Sequence, residues 1–105
     1  MIVYTHAYTM VFAWDPQKSV ANLRDRGFDF RFASVIFEGP TLEKEDRRQD
    51  YWERRIIAVG MAEGLHLTLV CTDRIDPGGD VIRRIISARR SNRREREAYH
   101  KATLL

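Results

Sequence analysis

The chain has 105 residues, 44% of them apolar, and is read as one domain over residues 1–105 with a core of about 11–103. Its one cysteine, Cys71, excludes an internal disulfide and a thiolate zinc cluster, which suits a reducing, cytoplasmic setting, and no run of about eighteen apolar residues is present to span a membrane. Net charge is only +3, yet residues 83–101 hold seven Arg and Lys101 against Glu95 and Glu97, a concentration that fits nucleic acid or an acidic protein partner, or else a solvated helix with pairs such as Arg93–Glu97.

The first thirteen residues are apolar but lack a basic leader, and they run into an expected strand at Met10–Trp14. Asp15-Pro16 then reads as N-cap and first position of a helix, with Val20, Ala21 and Leu23 as its apolar stripe and Gly27 as its C-terminal cap. A second short helix is expected from Asp29, ended by Gly39-Pro40. Residues 41–53 are the most polar stretch and read as a loop. Residues 55–59 read as a strand, Glu63-Gly64 as a hairpin turn, and 65–71 as a strand with Leu65, Leu67, Leu69 and Cys71 on one face. After a loop tip at Asp76-Pro77-Gly78-Gly79, residues 81–87 supply the next strand. Asn92 and Glu95 have capping-box spacing for a last helix to about Ala102. The expected order is β-α-α-β-β-β-α: an α+β fold, an antiparallel sheet with helices packed on one face.

Several chemistries are excluded. Gly78-Gly79 precedes a strand and lacks the Lys-Ser/Thr of a phosphate loop. His6, His66 and His100 are too scattered in sequence to suggest a metal site, and Cys71 in a strand pattern reads as an inert core thiol. Three segments carry more: Trp14 to Asn22, Asp46 to Arg55, and Arg84 to Arg89 with the helix beyond. Arg84 lies inside a strand among β-branched residues, where an arginine needs either a buried acidic partner or an exposed functional face.

These segments resemble the BrnT toxins, a branch of the RelE/ParE superfamily. The resemblance rests on Trp14-Asp15-Pro16-x-Lys18-x-x-x-Asn22, Asp46-x-Arg48-x-Asp50-Tyr51-x-Glu53-x-Arg55, Arg84-Ile85-Ile86-Ser87-Ala88-Arg89 and the Arg94-Glu95…Tyr99 helix start, in that family's order over roughly residues 11–100. The chain departs from the pattern at Arg26, where a His is common, at Trp52, where a glycine is usual, in a longer loop at 75–79, and in about nine preceding residues.

The resemblance implies a RelE-like fold and a metal-independent endoribonuclease, without cofactor, that halts translation. It implies neutralisation by a ribbon-helix-helix antitoxin of the BrnA kind, with operator DNA bound only through the toxin–antitoxin complex; a homodimer is left open. Cleavage requires a base for the 2′-OH and positive charge for the phosphorane. Glu53 is the candidate base, Arg55, Arg84 and Arg89 the phosphate clamps, and His66 the candidate acid. Tyr51, Arg48, Arg74, Arg90 and Tyr99 are the expected RNA contacts. Two other readings stay open: a non-catalytic nucleic-acid-binding or co-repressor module, and a toxin acting on a protein target.

Overall fold

A computed structural model describes residues 2–6, 10–49 and 52–104. Asp15 caps α1 (Pro16–Arg26) by accepting from the Gln17 amide at 2.9 Å, and Gly27 closes it in the left-handed region at φ 88°. The Val20 and Leu23 stripe faces solvent, and the buried side of α1 is polar. Ser19 Oγ accepts the Phe30 N–H at 3.0 Å, and Asn22 Nδ2 donates to the Phe28 carbonyl at 2.8 Å. These bonds clamp α1 to α2 (Phe30–Ala33), which Asp29 caps and a 3-10 turn (Ser34–Glu38) extends as far as Gly39-Pro40. Arg26 reaches from the end of α1 to the Ala88 carbonyl at 2.6 Å.

The six strands are β1 (Ile2–Tyr4), β2 (Val11–Trp14), β3 (Thr41–Glu45), β4 (Ile56–Ala62), β5 (Leu65–Ile75) and β6 (Val81–Arg90), in the sheet order β1-β3-β4-β5-β6-β2. The α+β expectation holds, and the β4-β5-β6 meander turns first at Glu63-Gly64, both at positive φ (48° and 81°), the geometry a tight hairpin requires. Four features differ from the sequence reading, the first being strand β1, which pairs antiparallel with β3 ahead of the expected first strand. The polar stretch after Pro40 begins as strand β3, because Glu43 points inward to a buried arginine rather than to water. Strand β2 pairs parallel to β6 while the other pairs are antiparallel. The helices divide between the two faces instead of sharing one.

On the first face, Phe28, Phe30, Ala33, Ile36 and Phe37 pack against Ala58, Leu67, Leu69, Cys71, Ile85 and Ala88. The 3-10 turn sits so close that a Cβ on Gly60 would fall 2.9 Å from Ile36 Cβ. Burial pushes the Cys71 thiol up to about 12, consistent with an inert core thiol. On the other face, α3 (Arg93–Thr103) closes a smaller cluster of Leu42, Val59 and Tyr99. The capping box is present, with Asn92 and Glu95 each accepting from the other's backbone amide.

Beyond Phe37 the first face ends in a buried ionic network. Arg83 donates to both oxygens of Asp73 at 2.8 Å and to Glu43 Oε2 at 3.1 Å, and its guanidinium lies 5.0 Å from the Phe37 ring centroid. Glu43 Oε2 also accepts from Thr41 at 2.6 Å and hydrogen-bonds His6 Nε2 at 3.0 Å. Burial opposes the Arg83 charge, yet the Asp73 hydrogen bonds and the two carboxylate charges outweigh it and raise the pKa. Replacing Arg83 by Met would leave two carboxylates without their cation. We expect a loss of about 3–5 kcal/mol in urea unfolding; a loss below about 1 kcal/mol, the scale of a surface pair, would show that the network carries no stability.

Candidate nucleic-acid interface

The second sheet face is built by strand alternation, with one interruption. Val70 pairs with Ser87 but Cys71 pairs with Ile85, so Ile86 is the extra residue of a bulge in β6. Beyond it Arg84 lies across from Thr72, and before it Arg89 lies across from Thr68. Thr68 hydrogen-bonds Ser91 at 2.8 Å beneath the start of α3, and Thr72 lies on the same side of β5, so both arginines share the α3 face. This face also carries Lys44, Ile57, Val70, Ile82 and Arg74, since Lys44 pairs with Ile57, Ile57 with Val70, and Arg74 with Ile82. Helix α3 covers one end of it.

The uncovered end has a lateral row. The Asp46 amide donates to the Arg55 carbonyl at 2.8 Å, continuing the β3–β4 ladder one step past Ile56. Ile56 pairs with Cys71, so Arg55, Thr72 and Arg84 follow one another across β4, β5 and β6. Thr72 Oγ1 donates to the Arg54 carbonyl at 2.9 Å, fixing that junction. Two strand spacings put the Arg55 and Arg84 backbones about 10 Å apart, within which two guanidinium groups can converge on one phosphate. Glu53 Oε1 lies 3.7 Å from Arg55 Nη2 at the end of the row. The Arg84 side chain is half-buried and, among the described residues, makes no hydrogen bond or ion pair.

A second group lies under α3, in a cavity of about 420 Å³ lined by Lys44, Arg48, Arg89, Arg94 and Glu95 together with Val59 and Ala98. Glu95 takes a two-point contact from Arg89 at 2.7 and 2.8 Å while accepting the Asn92 amide at 2.8 Å. Burial alone would raise the Glu95 pKa, but the bonds from Arg89 and Asn92 prevail and hold it below the usual range. The Arg89 pKa is raised, chiefly by the hydrogen bond to Glu95. Buried Asp46 likewise takes Arg48 Nε and Nη2, both at 2.8 Å. These two carboxylates orient arginines.

The structure therefore brings together Glu53, Arg55 and Arg84, with Arg74 one pleat further along β5 on the same face. Arg48 and Arg89 gather at the cavity, four residues up β5 from Thr72, or about 13 Å. His66 lies six residues from Thr72, about 20 Å away, at the hairpin end. There His66 Nε2 meets His100 Nε2 at 3.0 Å beside the Tyr99 ring. Tyr99 is buried and its hydroxyl donates to the Pro40 carbonyl at 2.8 Å, so it anchors α3. Arg90 pairs with Leu67 and points to the opposite face. Tyr51 lies outside the described residues. Sequence reasoning gave no site role to Lys44, Thr72 or Arg94 and did not foresee the Arg89–Glu95 contact; the capping-box spacing was the one visible sign that Glu95 is fixed. Among the described residues no group of three or more His, Cys, Asp or Glu is disposed to hold a metal ion, and no helix is long and apolar enough to cross a membrane.

The His66 pKa is lowered by burial first, then by the charges of His100 and Arg96. A histidine whose folded pKa lies below its unfolded value takes up fewer protons when folded, so stability falls as pH drops below about 6.5. Thermal melts from pH 7.5 to 5.5 should show this loss, and His66→Gln should flatten it. An unchanged slope in that variant would assign the acid sensitivity elsewhere.

The family described as "Ribonuclease toxin, BrnT, of type II toxin-antitoxin system" matches residues 14–95. No curated protein matches the chain. The matched span takes in α1, the meander, both arginine groups and the start of α3, and leaves out His6. With most of its length matched, the chain belongs to the BrnT family of ribonuclease toxins of type II toxin–antitoxin systems, which implies an RNA substrate and an antitoxin partner.

Proposed function

We propose that the uncovered α3 face is where this toxin cleaves RNA, by metal-independent transesterification at the Arg55–Thr72–Arg84 row. Glu53 takes the 2′-OH proton as that oxygen attacks phosphorus. Arg55 and Arg84 neutralise the growing phosphorane charge, and the departing 5′-oxygen takes its proton from solvent at this open surface. Arginines suit the task because their charge is permanent and their donors match phosphate oxygens. Arg89 and Arg48, oriented by Glu95 and Asp46, hold a neighbouring stretch of the strand, with Arg74 and Arg94 adding charge. His66 and Tyr99 stay with the hairpin end of α3. The observation that carries this reading is the row itself: two arginines on one sheet face with a carboxylate beside one of them. A module that only bound phosphate would gain nothing from Glu53.

The partner is a ribbon-helix-helix antitoxin, carrying an acidic segment that covers the same face in the cytoplasm and joins the toxin on operator DNA. Neutralising a lethal activity calls for nanomolar binding, about −12 kcal/mol. Purified protein should cut RNA in EDTA; salt-sensitive binding without cleavage would instead mark a binding module. Arg84→Ala and Glu53→Gln should each lower cleavage by about 10²–10³-fold. Melting temperatures should stay near native, since among the described residues the Arg84 side chain makes no hydrogen bond or ion pair and Glu53 is exposed. Full cleavage by both variants would move the reaction off this row.

A further inference from the structure

Trp52 is the most exposed large apolar side chain described, at 107% relative exposure, although tryptophan ordinarily buries most of its surface. The loop that carries it is pinned at both ends. Arg47 and Arg54 meet Glu45 at 2.9 and 3.8 Å, Arg48 holds Asp46, and Thr72 binds the Arg54 carbonyl. The indole is thus presented outward beside a described segment that is held at Arg54, next to Glu53 and three residues before Arg55. Among the described residues of this loop there is no aliphatic side chain, and Arg47, Arg48, Arg54 and Arg55 flank the ring in sequence.

We propose that Trp52 is a base-stacking platform that receives an unpaired nucleobase beside the phosphate held at the Arg55–Arg84 row; this rests on the reading of that row given above. An aromatic ring among arginines is the combination that holds single-stranded nucleic acid: the cations track the backbone, and the ring takes the π-face of any base. A tryptophan that anchors a protein interface sits instead within a ring of contacts that exclude water. The arginines that flank Trp52 in sequence are exposed or half-exposed, and the described residues of the loop offer no aliphatic side chain to seal the ring from water, which favours a nucleobase over a segment of the antitoxin. Trp52 would therefore position RNA without taking part in proton transfer, and would require single-stranded substrate.

The test uses a dye-labelled, non-cleavable 2′-O-methyl oligouridylate hexamer and a matching abasic oligomer, with binding read by anisotropy. Trp52→Ala should bind the hexamer about 10-fold more weakly, equivalent to 1.4 kcal/mol, and the abasic oligomer as tightly as wild type. Trp52→Phe should keep most of the affinity. Wild-type emission minus that of Trp52→Phe, which isolates Trp52 from Trp14, should be quenched by the hexamer. Equal hexamer binding by wild type and Trp52→Ala overturns the proposal, as does equal weakening toward both probes. If Trp52→Ala instead loses only its antitoxin, the ring is a protein contact and the proposal fails. Arg84→Ala separates the two readings: if it weakens both probes while Trp52→Ala weakens neither, the row stands and the platform falls. A wild-type protein that binds neither probe refutes both.

Discussion

Arg83 is the constraint on which the rest of this structure depends. It sits on β6 at 4% exposure, holds Asp73 of β5 in a two-point contact, and reaches Glu43 of β3 and, through it, His6 beyond β1. A charge so enclosed is tolerable only when its partners are held in place, and removing one partner costs far more than the pair contributes over an apolar substitute. The network therefore fixes which way β3 and β6 face. With Arg83 turned into the first face, Arg84 must turn to the second, where it meets no counter-ion among the described residues. A neighbouring pair of arginines on one strand thus divides between a buried ionic network and the open face where we propose RNA is bound.

The bulge at Ile86 extends that division. Strict alternation would put Arg84 and Arg89, five residues apart, on opposite faces, and likewise Ile85 and Ala88, three apart. One extra residue brings Ile85 and Ala88 both into the core and both arginines onto the α3 face. Bulges redirect side chains in this way next to functional sites. The added twist costs some ladder regularity, but the strand then serves two clusters with one backbone.

Carboxylates on the α3 side divide by exposure. Asp46 is buried and Glu95 half-buried, and each is engaged by donors and holds its arginine, Arg48 and Arg89 respectively, in place. Glu53 is exposed at the rim, with a looser 3.7 Å contact to Arg55. In the proposed reading a strand of RNA lies along this face, held under α3 and reacting at the far end, and antitoxin and RNA compete for the same cations.

The sequence by itself determined much of this protein. The caps at Asp15, Asp29 and Asn92, the turn at Glu63-Gly64 and the alternation of Leu67, Leu69 and Cys71 all depend on neighbours within a few residues, and all appear in the structure. The three segments shared with the BrnT toxins were legible for the same reason. Tertiary structure decided the rest. The strand Thr41–Glu45 looks like a loop until Arg83 gives Glu43 a partner forty residues away. The stripe of Val20 and Leu23 faces water because Ser19 and Asn22 find backbone partners across the interface. Helix α3 sits on the second face because Tyr99 finds the Pro40 carbonyl there. Whether Arg84 and Arg89 could act together rested on one bulge, which no periodicity announces, because its cause is the pairing of two strands rather than the pattern of either.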